Sequence, residues 1–422
     1  MTRTHRGVSI TGIGVLAPTG LGKEIFRDAI INGYPVIGLI TRFDATSYPC
    51  GIAAEIRDDG YRSLIAPAKL RTATRTTLYA LAATELALRD AHLSAAEYAP
   101  HERGVVFGTS LGGWHEAQQQ FAILMEKGAH RVNPFLLNGS ANHAPAMEVA
   151  VVTQSQGTHA TFSTGCCASM HAIGHAAELV ARGEIECCVT GGTEAPISPL
   201  VVAAMGRTRE LCCATDDIAR ASRPFDRDHS GFVLSEGSAV LVLEATERAR
   251  ARGASIYAEV LGHASAMDAT DIFKVDQSGV AGARAIQACL ARSGICAQDL
   301  DYVCAHGNSS PYFDRKETIV LKRALGDIAA TVPVSSIKGV LGHAFGASSA
   351  FQVAAACLAI RDQLIPPTHN LEHPDPECDL DFVPNVARPA ALRHVLVSSY
   401  GFGGLNAFIA LRSPELATVH SE

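Results

Sequence analysis

The chain has 422 residues, 47% hydrophobic and 18% charged, with a formal net charge of −7. At roughly one domain per ~150 residues this suggests two or three domains or one duplicated fold, with ample apolar material for a core and little for long disordered tails. The acidic balance excludes a general polyanion binder, and 6% aromatics with a single Trp exclude a stacking platform for single-stranded nucleic acid.

Residues 1–7 carry arginines but no following apolar stretch or small-residue cleavage site, so no signal peptide is expected. No run approaches ~18 apolar residues, so no membrane span is expected and the protein is read as cytoplasmic. Residues 8–11 form a buried strand by pattern. Gly12-Ile13-Gly14-Val15-Leu16-Ala17 behind it has the form of a dinucleotide fingerprint, but Asp44, the candidate ribose-binding acid, sits in a loop-like stretch, so no nucleotide is expected. Gly22-Lys23 lacks the upstream glycine of a phosphate loop. Residues 78–92 have helical spacing, and 104–108 read as a strand running into a Gly-rich turn. A strand at 160–163, a small-residue helix at 168–182, a strand at 187–190 ending at Gly191-Gly192, and a strand at 239–243 complete the first half. The second half has a helix at 281–292, strands at 302–305 and 332–336, an Ala-rich helix at 348–361, and a hairpin of 395–399 and 407–411 around Gly401-Phe402-Gly403-Gly404. The alternation predicts an α/β protein with buried strands. Residues 413–422 read as a frayed tail.

A faint repeat runs through this order. A strand leads to Ser163-Thr164-Gly165-Cys166 and a small-residue helix; later a strand leads to Gly342-His343-Ala344-Phe345-Gly346 and another such helix. Two similar halves with a boundary near 247–254 are expected.

Twelve cysteines include three adjacent pairs and no C-x-x-C. They are read as reduced thiols, mostly small buried hydrophobes, with no zinc spacing. Cys166 stands out because it opens a helix behind a strand. The helix start should favour a thiolate and lower its pKa, and the Cys166 N–H can face an oxyanion. Cys167 should face away. His306 ends the strand at 302–305 and His343 follows a Gly-rich turn, so all three lie past strand ends, where open α/β sheets place ligands. Alone, each is most often structural; together they fit thiol acyl chemistry. Lys338 lies in a loop otherwise free of charge and is expected to hold a carboxylate such as Glu317. His171 and His175 are one helical turn apart, but no third ligand accompanies them and no metal is expected.

Five motifs in order carry a resemblance. They are 162–169 around Cys166; Arg223-Pro224-Phe225-Asp226 with 231–237; Ala305-His306-Gly307-Asn308-Ser309-Ser310-Pro311 with Asp314 and Glu317; 336–343 with Lys338 and His343; and Gly401-Phe402-Gly403-Gly404-Leu405-Asn406. Over residues 7–412 the chain resembles the elongating, decarboxylating β-ketoacyl-acyl-carrier-protein synthases, or ketosynthases. The resemblance implies a thiolase fold, two similar α/β halves in five layers (αβαβα), with the nucleophile on 7–250 and two catalytic histidines on 251–412. It implies an acyl group carried on Cys166, loss of CO₂ from malonyl on a carrier protein, and a chain two carbons longer. His306 and His343 would donate to the thioester oxygen, Cys166 and Phe402 N–H groups would form an oxyanion hole, and Lys338, Glu317 and Asp314 would organise them. Phe402 would gate the site beside Gly403; Asn308 and Ser310 would touch the phosphopantetheine arm; Leu111 and Leu136 would shape the far end of the acyl tunnel, Leu136 near the dimer partner. Arg71 and Arg209 would dock an acidic acyl carrier protein. The mate would be a second copy or a chain-length-factor subunit, with no metal or organic cofactor, no nucleic acid and no membrane.

Two departures refine this. Thr164-Gly165 stands where the fatty-acid enzymes typically have Thr-Ala, and Gly307-Asn308-Ser309-Ser310 where they have Gly-Thr-Ser-Thr. Thr-Gly-Cys is similar to the catalytic subunits of bacterial type II polyketide systems, and the excess of Arg over Lys is compatible with a high-GC bacterium. A polyketide ketosynthase is therefore favoured over a fatty-acid elongating 3-oxoacyl synthase II. The alternatives of another class are a non-catalytic chain-length-factor-like subunit, which Cys166 disfavours, and a thioester hydrolase, in which Lys338 and His343 lack a purpose.

Overall fold

The computed structural model describes residues 6–414 apart from 95 and 215, so the segments 1–5 and 415–422 lie outside the described residues. Ten strands build the main sheet: β1 (Val8–Ala17), β2 (Arg103–Gly108), β3 (His159–Phe162), β4 (Cys187–Glu194), β5 (Gly237–Ala245), β6 (Ala258–Met267), β7 (Tyr302–Cys304), β8 (Val334–Ser335), β9 (His394–Gly401) and β10 (Leu405–Arg412). Gly20–Leu21 folds back onto the end of β1. The strand order is β8-β7-β9-β10-β6-β1-β5-β4-β2-β3.

Outward from the β1–β6 junction the two wings have one topology. β1-β5-β4-β2-β3 and β6-β10-β9-β7-β8 each run through two antiparallel and then two parallel pairings. The junction is narrow, pairing only Ser9 with Glu259 and Ile10 with Ala258. The faint repeat is thus a duplicated sheet.

Helices complete five layers. α1 (Arg75–Asp90) covers the outer face of the first wing, and α3 (Val280–Ser293) with α4 (Pro311–Leu325) covers the second. Between the wings lie α2 (Ala168–Ala181) and α5 (Ser348–Asp362), in contact with each other and with strands of both wings. Every residue of α5 from Ser348 to Ile360 is buried, so its length reads as one small-residue apolar run.

Each inner helix is preceded by a tight turn, Gly165–Cys167 before α2 and Phe345–Ala347 before α5. The counterpart of Cys166 is therefore Gly346, rather than His343 as the sequence repeat suggests. A Cβ on Gly346 would lie 2.6 Å from the Ser110 nitrogen and 2.8 Å from a Glu194 carboxylate oxygen, so the second half has no room for a side chain there.

Three further readings change. Gly12 and Gly14 sit inside β1 rather than in a turn; a Cβ on Gly14 would lie 1.9 Å from the Ala83 carbonyl of α1, and one on Gly12 2.4 Å from that of Ala87. The dinucleotide-like spacing is a seat for a helix lying directly on a strand. Of the expected tail, Ser413 is buried and its N–H donates to the Arg393 carbonyl at 2.8 Å, while 415–422 lie outside the described residues. The cysteines are not all free thiols: a disulfide joins Cys50 to Cys213, 163 residues apart, with Cα atoms 4.5 Å apart. Folding brings together two loops that sequence spacing cannot pair.

Candidate active site

The two inner helix starts meet at Cys166. His343 Nε2 lies 3.2 Å from its Sγ, and the His306 and His343 ring centroids are 5.2 Å apart. All three residues are buried, within an apolar wall that includes Leu111, Ile197, Val201, Phe232, Phe345 and part of Phe402. The rings of Phe232 and Phe345 present edges to His343 at 5.1 and 5.7 Å.

Burial acts on every titrating group. It pushes the Cys166 thiol up to about 12, opposed by the Lys338 charge and an N–H hydrogen bond from Phe402. The expected lowering by the helix start is overruled: that field is worth at most about 2 kcal/mol, or about one and a half pH units. Burial, then the Lys338 charge, holds both histidines well below their ordinary value, so they are neutral rings. The Tyr400 N–H reaches His306 Nδ1 at 3.4 Å. A backbone N–H can only donate, so the His306 proton sits on Nε2. His343 Nδ1 is paired with Ser348 Oγ at 2.9 Å.

Behind the rings stands a backbone-directed network. Glu317 accepts the N–H groups of His306 (2.9 Å) and Gly307 (2.7 Å) and the Ser398 hydroxyl. Lys338 Nζ donates to the His306 carbonyl and to Gln352 Oε1 at 3.1 Å, rather than pairing directly with Glu317 as expected. The two charges still act on each other through space: burial lowers Lys338 to about 8 and raises Glu317 to about 7, each shift opposed by the other's charge. Gln352 Nε2 satisfies the carbonyls of Ala305 (2.7 Å) and Ser398 (2.8 Å). Asp314 gathers the N–H groups of Asn308 (3.0 Å), Ser309 (3.2 Å) and Phe225 (2.9 Å).

The remaining sequence-predicted residues fall in three places. Leu111 lines the Cys166 wall, while Leu136 opens a short helix outside that apolar cluster. Phe402 packs edge-on against Phe313 at 5.5 Å, and Gly403 has φ of +79° with open space where a side chain would be. Asn308 and Ser310 are buried and engaged with protein: Asn308 Oδ1 accepts the Ser310 N–H at 3.1 Å, and Ser310 Oγ donates to Glu210 at 2.7 Å. Arg71 and Arg209 are exposed.

Sequence reasoning missed Gln352, Glu194, Glu210 and His229. Gln352 carries a signal, being the one amide side chain inside an otherwise apolar helix. Glu194 ends the glycine-bearing strand β4 and accepts the N–H groups of Ser110 (2.6 Å), Leu111 (3.1 Å) and Gly346 (3.1 Å), tying the Leu111 wall to the turn before α5. His171 Nδ1 is taken by Thr164 Oγ1 at 2.6 Å, and the ring of His175 packs on Phe162. No helix among the described residues is long and apolar enough to cross a membrane.

A thiol against one of two neutral histidines, at the meeting of two duplicated halves, defines a condensing acyltransferase of the thiolase fold. The chain belongs to the β-ketoacyl synthase family: the N-terminal domain of that family matches residues 5–249 and the C-terminal domain residues 257–372. It is 40% identical over 422 residues to the tetracenomycin polyketide synthase ketoacyl synthase alpha subunit of Streptomyces glaucescens, covering 98% of this chain and 99% of that one. It is 38% identical over 405 residues to 3-oxoacyl-[acyl-carrier-protein] synthase 2 of Synechocystis, covering 96% and 97%. The ishigamide ketosynthase/chain length factor structure is similar with a TM-score of 0.90 and 31% identity, over 97% of this chain and 99% of that one.

Proposed function

We propose that this chain is the catalytic ketosynthase of a type II polyketide system, condensing an acyl group held on Cys166 with malonyl carried by an acyl carrier protein. The observation that carries this reading is Cys166 Sγ 3.2 Å from His343 Nε2, with the neutral ring of His306 beside it. The thiol passes its proton toward His343 as Sγ attacks the incoming thioester carbon, and the Cys166 and Phe402 N–H groups face the oxyanion. Collapse expels the carrier's thiolate and leaves an acyl-cysteine; the thiolate is protonated as His343 gives up its Nδ1 proton on the Ser348 side, so the ring ends neutral with its proton on Nε2. Malonyl then loses CO₂; the two imidazole N–H groups stabilise the enolate oxygen, and its carbon displaces Sγ. Neutral rings suit this step, because a positive ring would protonate the enolate rather than only hydrogen-bond it. In this reading 7–250 supplies the nucleophile and 251–412 both histidines, and no metal or organic cofactor takes part.

Cys166 is only 5% exposed, so the loop of Phe402 and Gly403 must move to admit the acyl chain. Ser310, held by Glu210, would present its free lone pair to an amide N–H of the phosphopantetheine arm; Asn308 would shape the same loop from beneath. Arg71 and Arg209 offer exposed positive charge to an acidic carrier. The helix Leu136–Ser140 touches both Trp114–Lys127 and Ala144–Thr153, and these helices, together with Phe135 just before the short one, expose Phe121, Met125, Leu137 and Val151 near the open edge of β3. Such an apolar face beside an unpaired edge supports a two-chain assembly, with a second copy or a chain-length-factor subunit. In this reading the protein works in the cytoplasm.

Intact-protein mass after incubation with an acyl carrier protein bearing a medium-chain acyl group tests the reading. Wild type should gain the acyl mass and Cys166→Ala should not. A malonyl carrier-protein chase should then release a β-ketoacyl product two carbons longer. No adduct, with or without a co-expressed partner, favours the non-catalytic shaping subunit.

A further inference from the structure

His229 lies outside every residue assigned above, in the segment after Arg223-Pro224-Phe225-Asp226. Its side chain is 1% exposed. Its Nδ1 is 2.9 Å from Asp314 Oδ2 and its Nε2 is 3.1 Å from Asp375 Oδ2. A neutral imidazole has one N–H and one lone pair, so it can satisfy only one of these carboxylates and must turn a lone pair toward the other. The doubly protonated ring donates to both.

One of those carboxylates is functional in its consequences. Asp314 Oδ1 takes the N–H groups of Asn308 and Ser309, the loop directly behind His306. That loop holds Ser309, a residue with a side chain, in the left-handed region at φ +73°. It is also tied by Gly231 N–H to the Ser309 carbonyl (2.9 Å) and Arg223 N–H to Ser309 Oγ (3.0 Å), both from the segment that carries His229. Asp375 is anchored in turn by Arg315 Nε at 2.9 Å.

We propose that His229, in its charged form, is a positioning residue that clamps Asp314 to Asp375 and so holds the loop behind His306 in its working shape. The inference rests on the ketosynthase reading for its catalytic consequence. The charged groups acting on the ring are Asp314 and Arg315 from α4 and Asp375 from the segment after α5; around them Arg315 also pairs with Glu377, and Arg223 lies near Asp226 and Asp228 in the ring's own segment. Carboxylates outnumber cations. Burial disfavours the charged ring, but the Asp314 hydrogen bond and the two carboxylate charges outweigh it, so the ring's pKa is raised above its ordinary value. A raised pKa in the folded state means the clamp is complete at low pH and is lost as pH rises through that value.

Hydrogen exchange of the peptide spanning 306–313, corrected for intrinsic rates, would be followed from pH 6 to pH 9.5 in wild type, His229→Arg and His229→Gln. Wild-type protection should fall about tenfold or more as the ring deprotonates. His229→Arg should hold it flat, and His229→Gln should lack it throughout. Condensation with carrier-borne substrates should follow, with an alkaline fall that His229→Arg moves upward by at least about one pH unit. Superimposable exchange profiles for wild type and His229→Arg overturn the proposal; if both variants fail to fold, pH-independent protection in wild type alone does so. Loop exchange needs no turnover, so a pH-dependent loop in a protein that never acylates Cys166 would retain the clamp and sink the ketosynthase reading.

Discussion

At the scale of single residues, Cys166 is set by two opposed effects. A helix start stabilises a thiolate, and a dry pocket destabilises it more strongly. Because the thiol is held up at about 12, protonated thiol is the resting form throughout the physiological range. Alkylation of the free enzyme by a small neutral reagent should therefore keep rising from pH 7 to pH 10, roughly tenfold per pH unit. A plateau below pH 8 would show the helix start to dominate instead. The same low dielectric keeps both histidines neutral, which suits hydrogen-bond donation to an enolate. Cys166, His306 and His343 were legible in sequence because each follows a strand and touches glycine. His229 was not, and Gln352 showed only as an amide in an apolar helix, because their partners are two carboxylates and Lys338 that only folding brings within reach.

At the scale of elements, the contact of α1 with β1 rests on bare backbone. A methyl on Gly14 would lie 1.9 Å from one helix carbonyl and 2.5 Å from the Ala87 nitrogen, both main-chain atoms that cannot turn aside. Gly14→Ala should therefore cost about 3 kcal/mol, seen as a lowered midpoint in a denaturant melt. An unchanged midpoint would mean that the helix can lift without penalty. Strand and helix types were readable from period and composition. Strand ends were less so: β4 runs past Gly191-Gly192 to Glu194, because its antiparallel partner β5 supplies hydrogen bonds along the whole length.

At the scale of the whole molecule, the exposed apolar face around Leu137 is the counterpart of the buried site. Leu137 is 81% exposed and Phe135 59%, too much apolar surface to leave in water where the helix Leu136–Ser140 meets its two neighbours. Leu137→Asp with Phe135→Asp should shift sedimentation from a two-chain to a one-chain species while leaving the far-ultraviolet spectrum unchanged. A wild-type monomer at micromolar concentration would remove the basis for that assembly.

The sequence by itself determined the α/β class, the duplicated order of elements and the grouping of Cys166, His306 and His343, because these follow from local periodicity and from short motifs at strand ends. Tertiary structure alone decided their surroundings. It placed Cys166 deep enough to raise its thiol and set Lys338 on the His306 carbonyl rather than on Glu317. It joined Cys50 to Cys213 and enclosed His229 between two carboxylates. Each of these depends on burial or on contacts between residues distant in the chain, and neither is encoded in spacing along it.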